Sequence, residues 1–359
     1  MNPDEFFQAQ RLHRDGDFAA AVILLKQILE HTPKHVAAWR LYASALREIG
    51  RSGEADAADK SGNAIEADHT ADVGASLLFL GDLKRSRVFF ERAIALDADC
   101  VSAHWLLGDI EGREGFDDRA LAHYRRCLEI APDRTGPAYM IAAMGEGAAP
   151  AQAPNDYVID FFDWYAEHFD KHLTENLLYT GPQQVAGTLR VLRPDGVGPT
   201  IDLGCGTGLA GLAVRDLVGP IIGIDLSSEM LSRTEARGIY AQLIEDDLLA
   251  AMQAQPDASA DAILAADVFV YMGELAPLFR ECHRVLAPGG IFIATFEDAQ
   301  ATTATWKLEH SGRYTHALGY LERISADAGF SKFESSTIVL REEYGEPVRS
   351  LLVNFERAP

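Results

Sequence analysis

The chain has 359 residues, of which 48% are hydrophobic and 24% charged, and its formal net charge at pH 7 is -22. This length suits two or three domains, because single hydrophobic cores seldom grow beyond about 250 to 300 residues. The negative charge argues against nucleic acid and anionic membrane surfaces as partners, since both would repel an acidic chain.

Three further features of the sequence concern its cellular compartment. We find no apolar run near the roughly 18 to 20 residues that span a bilayer. The first residues, MNPDEFFQAQ, are acidic and have no apolar core of the kind that export signals contain. The four cysteines are scattered singly, which suits a reducing environment. We therefore expect a cytoplasmic protein.

The first third of the chain contains an internal repeat. Four glycines recur in similar settings, each shortly before an alanine-bearing helical stretch: Gly16, Gly50, Gly81 and Gly115. They follow one another at steps of 34, 31 and 34 residues. A helix-turn-helix period of 34 residues is typical of tetratricopeptide repeats, and Gly108 and Tyr124 fall where that repeat places small and bulky packing residues. The shorter middle step indicates a deletion. We predict a tetratricopeptide-repeat domain over residues 1–134.

The purpose of these repeats stays open at this point. Stacked helix pairs bury their apolar faces between them and leave a concave groove, which suits the docking of a peptide or protein. A structural cap or a self-association surface is an equally good interpretation. The following segment, residues 135–154, includes the Gly-, Ala- and Pro-rich stretch MGEGAAPAQAPN and is predicted to be a linker.

From Pro199 onward, short apolar runs alternate with helical patterns. The runs PTIDL, PIIGIDL, IYAQLI, ASADAILAADVFV and GGIFIATFE are predicted strands, and the stretches between them are predicted helices. Near-continuous apolar strands between helices indicate a parallel sheet covered on both faces. Because ligands bind such sheets at the carboxyl ends of the strands, the residues that follow each strand are candidate site residues.

The first strand is followed by a glycine-rich loop, Asp202-Leu203-Gly204-Cys205-Gly206-Thr207-Gly208. Alternate glycines let a backbone turn sharply and approach a ligand closely. The G-x-G-x-G spacing differs from the G-x-G-x-x-G of dinucleotide enzymes, which disfavours a nucleotide-dependent dehydrogenase. Asp202 at the strand end would repel a pyrophosphate but attract the ammonium group of a methionine moiety.

Acidic residues also follow the second and third strands. Asp225 lies about 20 residues after the first glycine, the separation expected for an acid that binds ribose hydroxyls. Asp247 lies in Glu245-Asp246-Asp247-Leu248, where an acid can accept from the adenine amino group. Each acid alone is more simply a helix cap or a solvated side chain. Their occurrence in order, each behind its own strand, predicts a site for an adenosyl cofactor.

These motifs resemble a known family. IDLGCGTG, GIDLSSEML, EDDLL and the closing RVLAPGGIF are similar to the class I S-adenosylmethionine-dependent methyltransferases, over roughly residues 155–359. Together with the repeats, the whole chain resembles predicted bacterial methyltransferases that carry an N-terminal tetratricopeptide array. The resemblance implies an α + α/β protein whose second domain is Rossmann-like, with a mostly parallel seven-stranded sheet. Its strand order would be 3-2-1-4-5-7-6, with an antiparallel last strand. The tail FESSTIVLREEYGEPVRSLLVNFER fits two strands joined at Tyr344-Gly345-Glu346-Pro347.

The resemblance also assigns roles in binding S-adenosylmethionine, whose product is S-adenosylhomocysteine. Asp202 and the Gly204–Gly208 loop would hold the methionine end, and Asp225 the ribose. The remaining predicted donor contacts are loop and strand-end residues: Cys205, Gly206, Leu226, Met230, Asp247, Leu248 and Ala266. Leu226 and Met230 would flank the adenine, with Asp247 and Leu248 at its polar edge.

The segment DYVIDFFDWYAEHFDKHLTENLLYTGP precedes the sheet. It is similar to an FDxxAxxFD segment that covers the cofactor in small-molecule members of the class. Tyr165, Phe169 or Tyr179 could pack beside the sulfonium, because aromatic faces attract cations; plain helix packing is the alternative. His168 and His172 are four residues apart, but we find no suitably spaced third ligand and predict no metal.

The acceptor side is predicted from the loops after strands four and five. The family places substrate-facing residues after strand four, so Asp267 and Tyr271 are candidate acceptor contacts. EHSGRYTHALGYLERI is interpreted as a substrate lid or, alternatively, as a surface insertion. In the lid interpretation His310 or His316 would be a base, Arg313 would hold an acceptor carboxylate, and Tyr314 would contact the acceptor. Tyr271 is a further candidate catalytic group.

The leading hypothesis is methyl transfer from S-adenosylmethionine to oxygen or nitrogen of a small molecule. One alternative is a protein methyltransferase that recruits its target through the repeat groove. Another is a non-catalytic scaffold that binds the cofactor as a sensor. Motifs for the donor are shared across the class, so they leave the acceptor unidentified.

Overall fold

The computed structural model describes residues 3–300, 303, 305–343 and 346–359. The chain divides into two compact units, Met1–Ala138 and Tyr139–Pro359. Within the described residues, no helix is both long enough and apolar enough to cross a membrane.

The first unit is helical. Its helices are α1 (Pro3–Arg14), α2 (Phe18–His31), α3 (Val36–Glu48), α4 (Ser52–Phe79), α5 (Leu83–Leu96), α6 (Val101–Arg113), α7 (Asp117–Ile130) and the start of α8 (Thr135–Ala143). From α1 to α7, consecutive helices pack against each other, with apolar clusters that include Leu25 and Leu46 in one region and Phe90 and Ile110 in another.

The four repeated glycines have one structural role. Each lies in the turn before a helix with a positive φ, 83° at Gly16 and 79° at Gly50, Gly81 and Gly115. Since side chains disfavour this left-handed conformation, glycine is required at these turns. The shorter 31-residue step between Gly50 and Gly81 corresponds to a single helix, α4, which runs for 28 residues without an internal turn. Assignment of the helices to the tetratricopeptide class stays a prediction.

The second unit contains a seven-stranded sheet. Its strands are β1 (Thr200–Leu203), β2 (Ile221–Asp225), β3 (Gln242–Glu245), β4 (Ala260–Ala265), β5 (Leu286–Glu297), β8 (Lys332–Glu343) and β9 (Glu346–Glu356), while β6 (Trp306–Leu308) and β7 (Tyr314–His316) form a separate hairpin. The sheet order is β3-β2-β1-β4-β5-β9-β8, and β9 is antiparallel to both of its neighbours. This confirms the predicted order and the two strands of the tail. Tyr344 and Gly345 of the predicted turn lie outside the described residues.

Helices cover both faces of this sheet, as predicted. The helices of the unit are α9 (Asn155–Tyr165), α10 (Phe169–Lys171), α11 (Gly181–Leu192), α12 (Leu209–Val214), α13 (Ser228–Arg237), α14 (Leu248–Ala254), α15 (Ala276–Val285) and α16 (Leu318–Ala328). One apolar cluster joins the sheet to α14, α15 and α16, and a second joins its other face to α11 and α12. The carboxyl ends of the parallel strands are thereby left as the edge where a ligand can bind.

Two segments differ from their predicted structure. Strand β4 ends at Ala265 rather than near Val270, because Asp267 has a positive φ of 60° that breaks the extended backbone. The predicted linker begins with helix α8 and ends in ordered chain. There the N–H of Ala153 donates to the carbonyl of Tyr271 at 2.8 Å, and the carbonyl of Ala151 accepts from Gly273 at 2.8 Å.

Candidate active site

The glycine loop after β1 has the conformation that its sequence requires. Gly204, Gly206 and Gly208 have φ values of 63°, 53° and 86°. A Cβ at Gly204 would also lie 2.3 Å from Cγ2 of Val268, the residue after Asp267. The loop therefore needs glycine both for its backbone and for its close approach to the chain that follows β4.

Asp225, at the end of β2, anchors the glycine loop through a hydrogen bond to its backbone. One carboxylate oxygen accepts from the N–H of Gly206 at 2.7 Å, and the other accepts from the N–H of Ser227 at 3.0 Å. Burial raises the pKa of Asp225, and the backbone donors oppose that shift. Each oxygen retains a further lone pair, so the carboxylate can also accept from two ligand hydroxyls.

Asp202, at the carboxyl end of β1, is 1% exposed. Its Oδ2 accepts from the hydroxyl of Tyr240 at 2.5 Å, whereas Oδ1 is buried with no hydrogen-bond partner among the described residues. Burial raises the pKa of Asp202 to about 7, although the Tyr240 hydrogen bond lowers it. An acceptor oxygen left unsatisfied beside the glycine loop fits a ligand that brings a positively charged donor.

The predicted adenine contacts lie beside β2 and β3. Met230 and Leu248 are buried, and Leu226 is half-buried at the end of β2. Asp247 caps α14, where its Oδ1 accepts from the N–H groups of Leu249 at 2.9 Å and Ala250 at 3.2 Å. The helix-cap alternative for Asp247 is therefore realised, and its contact with adenine stays a prediction.

The segment at residues 155–177, which we call the covering segment, is tied to the glycine loop by two acidic residues. Ser227 donates its hydroxyl to Asp163 at 2.5 Å. Asp170 accepts from the hydroxyl of Thr207 and from the guanidinium of Arg237. These are the two aspartates of the FDxxAxxFD pattern, and they hold the segment against the loop and α13.

Aromatic side chains of this segment face the loop and the chain after β4. Phe169 lies 3.7 Å from the position of a Cβ at Gly206, and its ring meets that of Tyr165 edge-on at 5.2 Å. Phe162 packs edge-on against Tyr271 at 5.4 Å. Burial raises the pKa of Tyr179 well above its usual range, and the carboxylates of Asp267 and Asp202 act in the same direction. Tyr179, two residues beyond the covering segment, therefore interacts electrostatically with Asp202 on the donor side and with Asp267 on the acceptor side.

Next to this region lies a group of charges around the buried Arg341, whose other members are half-buried. We call it the acceptor-side cluster: Asp267, Glu297, Arg313, Arg341 and Glu343. Arg341, with 2% of its side chain exposed, donates to both oxygens of Asp267 at 2.6 and 2.7 Å and to Glu343 at 2.8 Å. It also pairs with Glu297, and Arg313 pairs with Glu343. Three carboxylates therefore face two guanidinium groups.

The pKa values of this cluster follow from its composition. Burial raises the pKa of Glu297, despite its pairing with Arg341. At Glu343 burial acts in the same direction, but Arg313 and Arg341 outweigh it and lower the pKa to about 2. Arg313, predicted to hold an acceptor carboxylate, already has carboxylate partners within the chain. Its role toward an acceptor stays a prediction.

The predicted bases and Tyr314 have different surroundings. His316 is fully buried between the rings of Phe296 and Tyr320, and burial lowers its pKa to about 4. His310 is exposed in the turn between β6 and β7. Tyr314 is 0% exposed and donates to the carbonyl of Pro150 at 2.8 Å. Among the predicted catalytic groups, Tyr271 is the one that interacts electrostatically with the acceptor-side cluster. A catalytic role for Tyr271, His310 or His316 stays a prediction.

Several side chains of the site were missed from the sequence. Tyr240 contacts Asp202, and Thr207 contacts Asp170 of the covering segment. Arg341, Glu297 and Glu343 belong to the acceptor-side cluster. An arginine inside the apolar strand stretch TIVLREE was the one available signal, because a buried guanidinium requires acidic partners. Its partner Asp267 is 74 residues away, so the pairing could not be read from local sequence.

A separate cavity of about 570 Å³ lies at the opposite edge of the sheet. Its lining includes Arg193, Gly198 and Asp261. Arg193 already donates to the carbonyl of Gly289, and Asp261 accepts from the N–H of Gly198. The predicted site residues do not line this cavity.

Comparisons with known proteins agree with this geometry. A family model described as a methyltransferase domain matches residues 201–294. The biotin biosynthesis bifunctional protein BioHC of Saccharophagus degradans is 31% identical over 113 residues, which are 31% of this chain and 20% of that protein. A probable S-adenosylmethionine-dependent methyltransferase of Mycolicibacterium smegmatis is 30% identical over 95 residues, 26% of this chain and 36% of that protein. The ubiquinone biosynthesis O-methyltransferase of Xanthomonas oryzae pv. oryzae is 26% identical over 136 residues, 34% of this chain and 57% of that protein.

The matched regions thus span less than two thirds of each of these relatives. The family match begins at β1 and ends in β5, so it contains the glycine loop, Asp225 and the chain after β4. Residues 201–294 of the second unit thus match a methyltransferase domain, and the sheet order of the unit is the one implied by the resemblance to class I S-adenosylmethionine-dependent methyltransferases.

Proposed function

We propose that the protein transfers the methyl group of S-adenosylmethionine to oxygen or nitrogen of a small-molecule acceptor. The observation that carries the proposal is the donor-side arrangement. A glycine loop is anchored by Asp225, and beside it Asp202 has a buried carboxylate oxygen without a partner. The cofactor supplies a methyl group that its sulfonium has already activated.

The residues present fit this cofactor. Asp202 would accept from the ammonium of the methionine end, and Asp225 would accept from the ribose hydroxyls. Met230 and Leu248 offer apolar surface for the adenine, while Tyr165, Phe169 and Tyr179 offer aromatic faces near the sulfonium. Asp163 and Asp170 hold the covering segment closed over the loop, which would exclude water during transfer.

The acceptor would lie between Tyr271 and the acceptor-side cluster. Alignment of the acceptor with the methyl group is the main requirement, since a base is needed only where the acceptor must lose a proton. The covering segment supports the small-molecule proposal. Its aromatic rings and the acceptor-side cluster belong to the same unit, so side chains of that unit alone line the acceptor side. It is also supported by two relatives, whose names assign them to biotin and ubiquinone biosynthesis. The chemistry we propose needs no metal.

The alternatives concern the partner of the first unit. Its helices could recruit a protein that is methylated, or they could serve self-association. A scaffold that binds the cofactor without catalysis would retain Asp202 and Asp225 but transfer nothing. The acidic chain again makes nucleic acid and membranes poor partners.

Methyl-labelled S-adenosylmethionine added to a cell extract with the full chain distinguishes these possibilities. The extract is first separated by size, and each fraction is incubated with the protein. We expect label in the small-molecule fraction, and no such label with the Asp225→Ala variant. Label only on macromolecules would favour the protein methyltransferase, and absence of label in every fraction would favour the scaffold.

Donor binding has its own test. Asp225→Ala removes the acceptor for ribose and the anchor of Gly206, so affinity for S-adenosylhomocysteine should fall by more than about tenfold in calorimetry. Asp216→Ala is the matched control, because Asp216 has 86% of its side chain exposed. Equal affinity of the wild-type and Asp225→Ala proteins would contradict the proposed cofactor site.

A further inference from the structure

Tyr240 occupies a slot lined by glycines. A Cβ at Gly211 would lie 2.3 Å from its hydroxyl oxygen, one at Gly223 would lie 2.9 Å from its ring, and one at Gly208 would lie 3.0 Å from its ring. These glycines belong to helix α12, strand β2 and the loop after β1. Because these three positions are glycines, the side chain of Tyr240 fits between helix α12, strand β2 and the glycine loop.

The hydroxyl at the end of this slot meets Asp202. It donates to Oδ2 at 2.5 Å, while Oδ1 has no partner among the described residues. The other titratable groups that interact with Asp202 are Asp225, Tyr179 and Cys205, and burial raises the pKa of the phenol and of the thiol well above the usual values. Helix α12, LAGLAV, contributes no charged side chain. Asp202 is thus a buried carboxylate stabilised by the Tyr240 hydroxyl and the backbone of Gly211 rather than by a cation. This is a costly state unless a ligand supplies the missing charge.

We propose that Tyr240 is a positioning residue that presents Asp202 to the ammonium group of the methyl donor, and that donor binding is therefore coupled to release of a proton from Asp202. The inference rests on the proposed function, because it takes the ligand to be S-adenosylmethionine or its product. The inference adds Tyr240 to the proposed donor site and predicts that donor affinity depends on pH.

The direction of the coupling follows from the surroundings of Asp202. Burial raises its pKa to about 7, so near neutral pH part of the protein carries the protonated acid. An ammonium ligand favours the carboxylate, and its binding releases the proton from that fraction. Affinity therefore rises with pH until the free protein is fully ionised. The Tyr240 hydroxyl favours the carboxylate, so its removal raises the pKa of Asp202 and moves the affinity curve to higher pH.

The test compares two ligands that share a nucleoside. S-adenosylhomocysteine carries the ammonium group, and 5′-methylthioadenosine has the same adenosine thioether without the amino acid. Calorimetry of the full chain would cover about pH 5.5 to about pH 7.5, where the ligand amine is protonated. Two buffers with different ionisation enthalpies report the proton that is released.

For the wild-type protein we expect tighter binding of S-adenosylhomocysteine as pH rises, with a proton released at the acid end of the range. Tyr240→Phe keeps the ring in its slot and should weaken this ligand about fivefold at pH 7 if the pKa of Asp202 rises by one unit, because the ionised fraction falls from about a half to about a tenth. Binding of 5′-methylthioadenosine should change little. Asp202→Asn should abolish the proton release and serves as the second variant if Tyr240→Phe does not fold.

Tyr320→Phe is the matched control. Tyr320 is also buried and donates to a carboxylate, Glu274, at 2.8 Å in the same unit. Its loss should leave both ligand affinities unchanged. Equal weakening of both ligands by Tyr240→Phe would overturn the inference in favour of a structural role, as would binding of S-adenosylhomocysteine that is independent of pH. If neither ligand bound the wild-type protein, the proposed function would fail and the inference with it.

Discussion

His316 and Asp202 are both buried side chains, yet burial moves their pKa values in opposite directions. A buried imidazole resists protonation, and a buried carboxyl group resists ionisation. For His316 the pKa falls to about 4, and for Asp202 it rises to about 7. Because both values differ from those of an unfolded chain, each residue makes the free energy of unfolding depend on pH.

His316 should destabilise the fold in acid. The unfolded chain takes up the histidine proton near pH 6.5, before the folded chain does, so stability falls as pH drops from about 6.5 toward about 4. His316→Phe keeps an aromatic ring between Phe296 and Tyr320 and removes the two buried ring nitrogens. Its unfolding free energy at pH 5 should exceed that of the wild-type protein by on the order of 2 kcal/mol, measured by urea unfolding. Loss of methyl transfer in this variant would instead support the predicted role of His316 as a base.

Asp202 should have the opposite effect. Its folded pKa lies above that of an unfolded aspartate, so the folded chain retains the proton longer and loses relative stability as pH rises from about 4 to about 7. Asp202→Asn should therefore be more stable than the wild-type protein at pH 8 and bind S-adenosylhomocysteine more weakly. Thermal unfolding with and without this ligand measures both effects. Lower stability of the variant at pH 8 would show that Asp202 is held mainly as a structural hydrogen-bond acceptor.

At the scale of elements, side-chain contacts with helix α13 and with the glycine loop hold the covering segment in place. Arg237 on α13 bonds Asp170 and the carbonyl of Thr207. Arg237→Met should leave global stability within about 1 kcal/mol, because the pair is partly exposed. Proteolysis within residues 155–177 and dissociation of S-adenosylhomocysteine should both become faster. Arg233→Met, on the exposed face of the same helix, is the control, and equal proteolysis of the two variants would contradict the role of Arg237.

The acceptor-side cluster joins elements that are distant in sequence. Arg341 of β8 pairs with Asp267 after β4 and with Glu297 at the end of β5. Arg341→Met would leave the half-buried carboxylates of Asp267 and Glu297 short of a cation and should lower the unfolding free energy by about 3 kcal/mol. Arg349→Met on β9 removes a pair whose arginine is 56% exposed and should cost no more than about 1 kcal/mol. Urea unfolding at pH 7 compares them, and similar values would show that the cluster contributes little to stability.

Sequence patterns predicted the elements of the parallel sheet better than those of the acceptor side. Apolar runs with glycine-rich or acidic ends identified β1 to β5 because each pattern lies within a few consecutive residues. The β6–β7 hairpin was missed, since its strands of three residues carry little periodicity. The end of β4 was placed too late because the positive φ of Asp267 is stabilised by contacts with Thr295 and Arg341 that are remote in sequence.

For the whole molecule, the net charge of -22 implies repulsion among surface carboxylates. Raising NaCl from about 0.01 M to about 0.15 M shortens the screening length from about 30 Å to about 8 Å, which should weaken this repulsion more than it weakens close ion pairs. We therefore expect a higher melting temperature at the higher salt concentration. A lower melting temperature would mean that surface pairs such as Arg47–Asp59 outweigh the general repulsion.

The sequence alone determined the repeated helices, the strand order implied by the family resemblance, and the acids behind β1 and β2. These features depend on local periodicity, on glycine conformation and on motifs of a few residues. Only the tertiary structure decided which acids are partnered and which are not. Tyr240 reaches Asp202, and Arg341 reaches three carboxylates, because the fold brings residues from different elements into one buried region. The charge state of a buried group depends on those neighbours and on loss of water, and neither is encoded in the residues next to it along the chain.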